Sequence, residues 1–163
     1  MDALKYTWRP AGLDDVDRMI QLSLDNFRSD IDQLFVVDPV TSARNLSQAI
    51  VVQHYQPLSE MVAVACNDSN ISAWTWARSL DVAPWSDQRM VMARMAMLDL
   101  ALPPRQRVQL IRDMLALWQG FAQFAGVKII CSSSMRQDYR AFMRIHQQAG
   151  YVVRGSNAYK ILP

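Results

Sequence analysis

Apolar positions in the first third of the chain recur at helical intervals. Val16, Ile20, Leu24 and Phe27 are spaced four, four and three apart, and Asp14 and Asp15 stand just before them. This predicts an amphipathic helix running through Phe27, its acidic start matched to the positive end of the helix dipole. Ahead of it, Lys5 to Arg9 alternates in character and stops at Pro10-Ala11-Gly12, the pattern of a short strand. Ser29 to Pro39 reads as a connection. Thr41 or Ser42 is then placed to cap a second helix, which carries Leu46, Ile50 and Gln53 on successive turns and reaches about Tyr55 before Pro57.

The middle of the chain changes period. Met61 to Cys66 is an apolar run of the buried-strand kind, Asn67-Asp68-Ser69-Asn70 has turn chemistry, and Ile71 to Arg78 resumes as a second strand, so the three form a hairpin. Trp74 and Trp76, two apart, face one side of that strand and are expected to pack a helix against the sheet. Asp81 to Ser86 is a loop, and Met90 to Leu102 reads as a long strand. Pro103-Pro104 stops it and starts a helix from Arg105 to about Phe124. Two apolar stripes, one through Val108, Ile111, Leu115 and Trp118 and one through Leu110, Met114, Leu117 and Phe121, make that helix largely buried. Gly126 ends it, Val127 to Cys131 is a short strand, and Gln137 to Gln148 is a last helix closed by Gly150. Tyr151 to Arg154 and Ala158 to Leu162 read as a closing hairpin. The expected order is β α α β β β α β α β β, one domain over residues 1–163, uninterrupted by repeat or linker.

Composition narrows the function classes. With 163 residues, 51% of them hydrophobic and 20% charged, the chain can bury a core, and five glycines exclude collagen-like and low-complexity readings. Its apolar runs fall far short of the roughly 18 residues of a membrane span, and Met1-Asp2-Ala3-Leu4-Lys5 does not open a signal peptide, so no membrane role and a cytoplasmic location are expected. Cys66 and Cys131 stand alone, which predicts buried free thiols and no metal site. Charge is uneven. Residues 1–40 carry eight aspartates against four bases, whereas residues 101–163 carry nine bases against Asp113 and Asp138. That basic end suits an anionic partner.

Three local patterns give this order a family likeness. Thr7-Trp8-Arg9-Pro10-Ala11 precedes Asp14-Asp15 and a helix; Leu100-Ala101-Leu102-Pro103 leads into a basic helix start and ends at Ala125-Gly126-Val127; and Ile145 to Tyr151 closes with an aliphatic, an aromatic, glycine and an aromatic. Together they resemble the GNAT superfamily of acyl-CoA-dependent N-acetyltransferases over essentially the whole chain. The resemblance implies an α/β (α+β) fold, a mixed, mainly antiparallel sheet flanked by helices on both faces, with acetyl-CoA as cofactor and an amine as acceptor.

In that family a glycine-bearing loop before the third helix holds the pyrophosphate of coenzyme A on backbone N–H groups. Here the matched stretch departs from it. With Arg105 in the first position, Val108 and Leu110 stand where small residues belong; with Arg107 there, Leu110 and Arg112 do. Arg105, Arg107 and Arg112 are then expected to supply charge directly, with Leu100 and Leu102 on the adjoining strand end. The family's thiolate-protonating tyrosine matches His146, a residue whose ordinary pKa near 6.5 suits an acid. Tyr139 is a second candidate acid. Asp99 is the carboxylate of the fourth strand and the candidate general base, and the acetyl carbonyl is expected at the splay between the fourth and fifth strands.

Three functions compete at this point. The first is an acetyl-CoA-dependent N-acetyltransferase acting on a small-molecule or peptide amine. The second is a catalytically degenerate protein of the same fold that serves as a structural or binding component with protein partners, of the kind found in bacteriophage virions or their assembly, which would place it in the host cytoplasm or virion. The third, a nucleic-acid partner, rests on charge alone because no recognition motif accompanies it.

Overall fold

Strands β1 (Thr7–Pro10), β2 (Glu60–Asn67), β3 (Asn70–Val82), β4 (Arg89–Leu98) and β5 (Ile129–Ser132) form one sheet in chain order. The computed structural model describes residues 6–29, 31, 35–68, 70–137 and 139–154. The first three pairings are antiparallel and β4–β5 is parallel. A parallel pair needs a crossover, and α3 (Pro104–Phe124) supplies it. With α4 (Tyr139–Gln148) it covers one face, while α1 (Val16–Ser29) and α2 (Pro39–Tyr55) cover the other. The chain thus forms the mixed, mainly antiparallel sheet between helical layers that its element order predicts.

Side-chain size sorts the two faces. Towards α3 the sheet presents Ala65, Ala73, Ala77 and Ala93, a low floor on which a long helix can settle closely. Towards α1 and α2 it presents Val62, Val64 and Trp74, with Trp76 partly buried beside them. Trp74 donates its Nε1–H to the carbonyl of Met19 at 2.9 Å and so ties α1 to the sheet, whereas Trp76 donates to Glu60 Oε2 of β2 at 2.7 Å. Ile111, Leu115 and Trp118 of α3 are buried, as its stripes require. Trp118 Nε1–H reaches Thr75 Oγ1 at 2.8 Å, and that hydroxyl in turn donates to the carbonyl of Met95 at 2.8 Å.

Several boundaries differ from the sequence pattern for local reasons. Asp14 and Asp15 lie in a 3-10 turn, Leu13–Asp15, ahead of α1. Asp15 is buried, and it accepts from Arg9 at 2.7 and 2.8 Å and from the Gly12 amide at 2.8 Å, which holds its carboxyl below the usual range. The cap of α2 is Asp38, not Thr41 or Ser42; its carboxylate accepts from the amides of Val40 and Thr41, and Pro39 begins the helix. β3 continues to Val82, and β4 ends at Leu98 instead of Leu102, because Asp99, Ala101 and Leu102 already form a turn. The fifth strand starts at Ile129. Cys66 and Cys131 are free but only half-buried. Tyr151–Arg154 forms no strand, and the second arm of the expected closing hairpin lies outside the described residues.

Among the described residues no helix is long and apolar enough to cross a membrane, and no group of three or more His, Cys, Asp or Glu is placed to hold a metal.

Candidate functional site

β4 and β5 run together only from Met90–Ile129 to Ala93–Ser132. Beyond Ser132 the fifth strand leaves, while β4 continues to Leu98 with its free edge facing the opening. Buried main-chain polar groups on such an edge need partners, and side chains provide them. Asn26, fully buried on α1, donates to the carbonyl of Leu98 at 2.6 Å and to that of Leu22 at 2.7 Å. Arg136, from the segment after β5, donates through Nη2 to the carbonyl of Ala96 at 2.7 Å and to Asn26 Oδ1 at 3.2 Å.

The opening leads into a groove of about 300 Å³. Leu98, Leu100, Pro104, Arg107 and Val108 form one wall, and Arg136, Phe142 and Ile145 the other. Arg107 brings charge to it, since its Nε is buried and has no hydrogen-bond partner among the described residues. At the start of α3 the amides of Gln106 and Arg107 both donate to the carbonyl of Pro103, and Pro104 has no N–H.

Next to the groove, on α4, stands His146, 1% exposed. Its Nδ1 lies 3.0 Å from the carbonyl of Phe142 and its Nε2 3.0 Å from Ser132 Oγ. A carbonyl only accepts, so Nδ1 carries the proton; in the neutral ring Nε2 is then bare and receives the Ser132 hydroxyl. Trp118, Phe142 and Tyr151 surround the imidazole at centroid distances of 6.0, 4.5 and 5.0 Å. Burial pushes its pKa below the ordinary value, against the opposing pull of the Phe142 carbonyl. The unfolded chain therefore binds a proton near pH 6.5 that the folded one refuses. We expect folding stability to fall as pH drops below about 6.5, and His146→Gln to flatten that slope; denaturant midpoints between about pH 7.5 and about pH 5.5 check it.

No family model matches the chain, and no curated protein matches its sequence. Solved structures do. A predicted acetyltransferase from Clostridium acetobutylicum with acetyl-CoA superposes with a TM-score of 0.68 at 12% identity, covering 98% of this chain and 96% of that one. AAC(6')-Iy in complex with a bisubstrate analog, CoA-S-monomethyl-acetylneamine, gives 0.68 at 12% identity over 98% and 99%. The chain has the GNAT fold. A transcriptional regulator from Bacillus halodurans C-125, at 15% identity and a TM-score of 0.72 over 97% and 100%, shares it too, so the fold is not tied to one activity.

Within this GNAT fold the residues singled out by sequence separate into groups. Leu100, Arg107 and Val108 line the groove. Leu102 packs on the α3 core, and Leu110, 0% exposed, lies wholly within it, away from the opening. Arg105 is exposed, and Arg112 is exposed with its Nη2 3.5 Å from Gln148 Oε1. Asp99 lies one residue past β4, not within it; it accepts from the Ala101 amide at 2.9 Å and lies 3.7 Å from Arg18. Tyr139, half-exposed, opens α4 well before His146. The sequence pattern does not single out Ser132, Asn26 or Arg136. Ser132 and His146 are joined across two elements, and Asn26 and Arg136 are 110 positions apart.

Proposed function

We propose that this GNAT-fold chain transfers the acyl group of acetyl-CoA to an amine. The observation that carries the reading is the parting of β4 from β5 over a groove that contains the unpartnered Nε of Arg107. The groove and that guanidinium fit an anionic, extended thioester, with side-chain charge standing in for the missing glycine nest. Acetyl-CoA bound there supplies an acyl group activated toward attack by nitrogen.

Arg107 would hold the pyrophosphate, with Arg105 and Arg112 on the exposed side of the same helix adding charge, while Leu100 and Val108 wall the groove. Exclusion of water falls to Phe142 and Ile145. His146 is 1% exposed and its Nε2 meets Ser132 Oγ, the hydroxyl through which the pair would return a proton to the leaving thiolate. Asp99, next to Leu100, would receive a proton from the amine; Tyr139 stands two positions before Ala141 of the groove wall. Hydrogen exchange with and without millimolar acetyl-CoA tests the placement: protection is expected over 103–112, and its absence there would remove the groove as the cofactor site.

A second reading, a GNAT-fold protein retained as a binding or assembly component, draws on the start of α3, where the Gln106 and Arg107 amides are spent on Pro103 and Val108 lines the groove. The matched structures lend no support to a bacteriophage source.

A further inference from the structure

Ser132, His146 and the Phe142 carbonyl have the geometry of an activated nucleophile. Such a site needs a hydroxyl within about 2.6–3.2 Å of a base, and a third group that fixes which ring nitrogen is bare. Here the Oγ–Nε2 distance is 3.0 Å and the Nδ1–carbonyl distance is 3.0 Å. The carbonyl plays the orienting part that a carboxylate plays in a triad. Phe142, Trp118 and Tyr151 keep the ring apolar and fixed, and among the described residues no acidic side chain lies within hydrogen-bond distance to charge it. Burial holds the imidazole in its neutral form near pH 7, as a base requires. Ser132 is also correctly placed: it is the last residue of β5 paired with β4, at the point where the two strands part.

We propose that Ser132 is a nucleophile that takes an acyl group from small activated esters and thioesters, giving the chain a serine esterase activity that does not require an amine. Oγ attacks the acyl carbon and forms the Oγ–C bond while its proton passes to Nε2 of His146. The bond from carbon to the leaving oxygen or sulfur breaks, and the leaving group takes that proton from Nε2. Water then attacks the acyl-serine, giving a proton to Nε2. The imidazolium returns it to Oγ, so the acid leaves and serine is restored.

This inference does not rest on coenzyme A binding, and p-nitrophenyl acetate tests it directly. Incubation followed by peptide mass spectrometry is expected to show one acetyl group on Ser132, with a burst of p-nitrophenol that Ser132→Ala abolishes. Ser132→Ala removes one oxygen and is expected to stay folded; circular dichroism verifies this. His146→Gln is expected to slow acylation at least tenfold in folded protein. Cys131→Ala, which removes the neighbouring thiol, is expected to leave the burst intact. Acetyl found on Cys131, or a burst that survives Ser132→Ala, would overturn the proposal, as would no acetylated Ser132 in the parent protein. A failure here leaves acetyl-CoA binding to Arg107 untouched, so the two readings fail separately.

Discussion

Trp118→Ala is expected to destabilise the fold by about 3–5 kcal/mol, the cost of replacing a buried large aromatic by a methyl group. Trp118 is 1% exposed and lies between the alanine floor of the sheet and the imidazole of His146. Its neighbours are held on regular elements, so the vacated space cannot collapse easily. The indole also takes part in a chain of hydrogen bonds, Trp118 to Thr75 to Met95, which loses its first member. For a domain of this size the change corresponds to a fall in Tm of roughly 6–20 °C. Trp118→Phe, which keeps most of the volume and loses the N–H, is expected to cost much less. An unchanged melting temperature in the alanine variant would contradict the placement of α3.

The second large effect is expected at Asn26. Its amide completes the free edge of β4 by donating to the Leu98 carbonyl, and its oxygen accepts from Arg136, Asn26 itself being 0% exposed. Asn26→Ala takes the donor from the buried Leu98 carbonyl and one acceptor from Arg136, which keeps the Ala96 carbonyl, and is expected to cost roughly 2–4 kcal/mol. Asn26→Asp tests the assignment more finely. The carboxylate still accepts from Arg136 but cannot donate to Leu98, so part of the loss is expected to remain. Urea unfolding of the three proteins gives the comparison, and equal stability of all three would show that the edge of β4 does not depend on this side chain.

The layers of the fold were legible because each element announces itself locally. The 3.6-residue stripes of α3, the hairpin turn after Cys66 and the glycines after α3 and α4 depend on near neighbours, and Gly126 and Gly150 do take positive φ angles of 68° and 87°. The end of β4 was less legible because Leu100 and Leu102 continue an apolar pattern that a turn at Asp99 interrupts. Asp38 does not stand out as a cap because Thr41 and Ser42 carry the same chemistry three and four positions later.

The site was legible only in part, for a physical reason. Its polar contacts join residues far apart in sequence: Asn26 with Leu98, Arg136 with Ala96, His146 with Ser132. No periodicity encodes such pairs. His146 drew notice through its family position, yet its burial redirects it. At 1% exposure its Nε2 meets the Ser132 hydroxyl. Leu110 shows the converse, since its sequence offset suggested the phosphate loop while the helical period turned it into the core.

Acetyl-CoA binding at Arg107 is the claim on which the functional account turns, and calorimetric titration of the parent protein and Arg107→Ala measures it. A saturable heat is expected with the parent, and a loss of about 1.5–3 kcal/mol of binding free energy in the variant, the range for a hydrogen bond to a charged group. No heat with the parent at millimolar acetyl-CoA, or equal affinity in the two proteins, would contradict it.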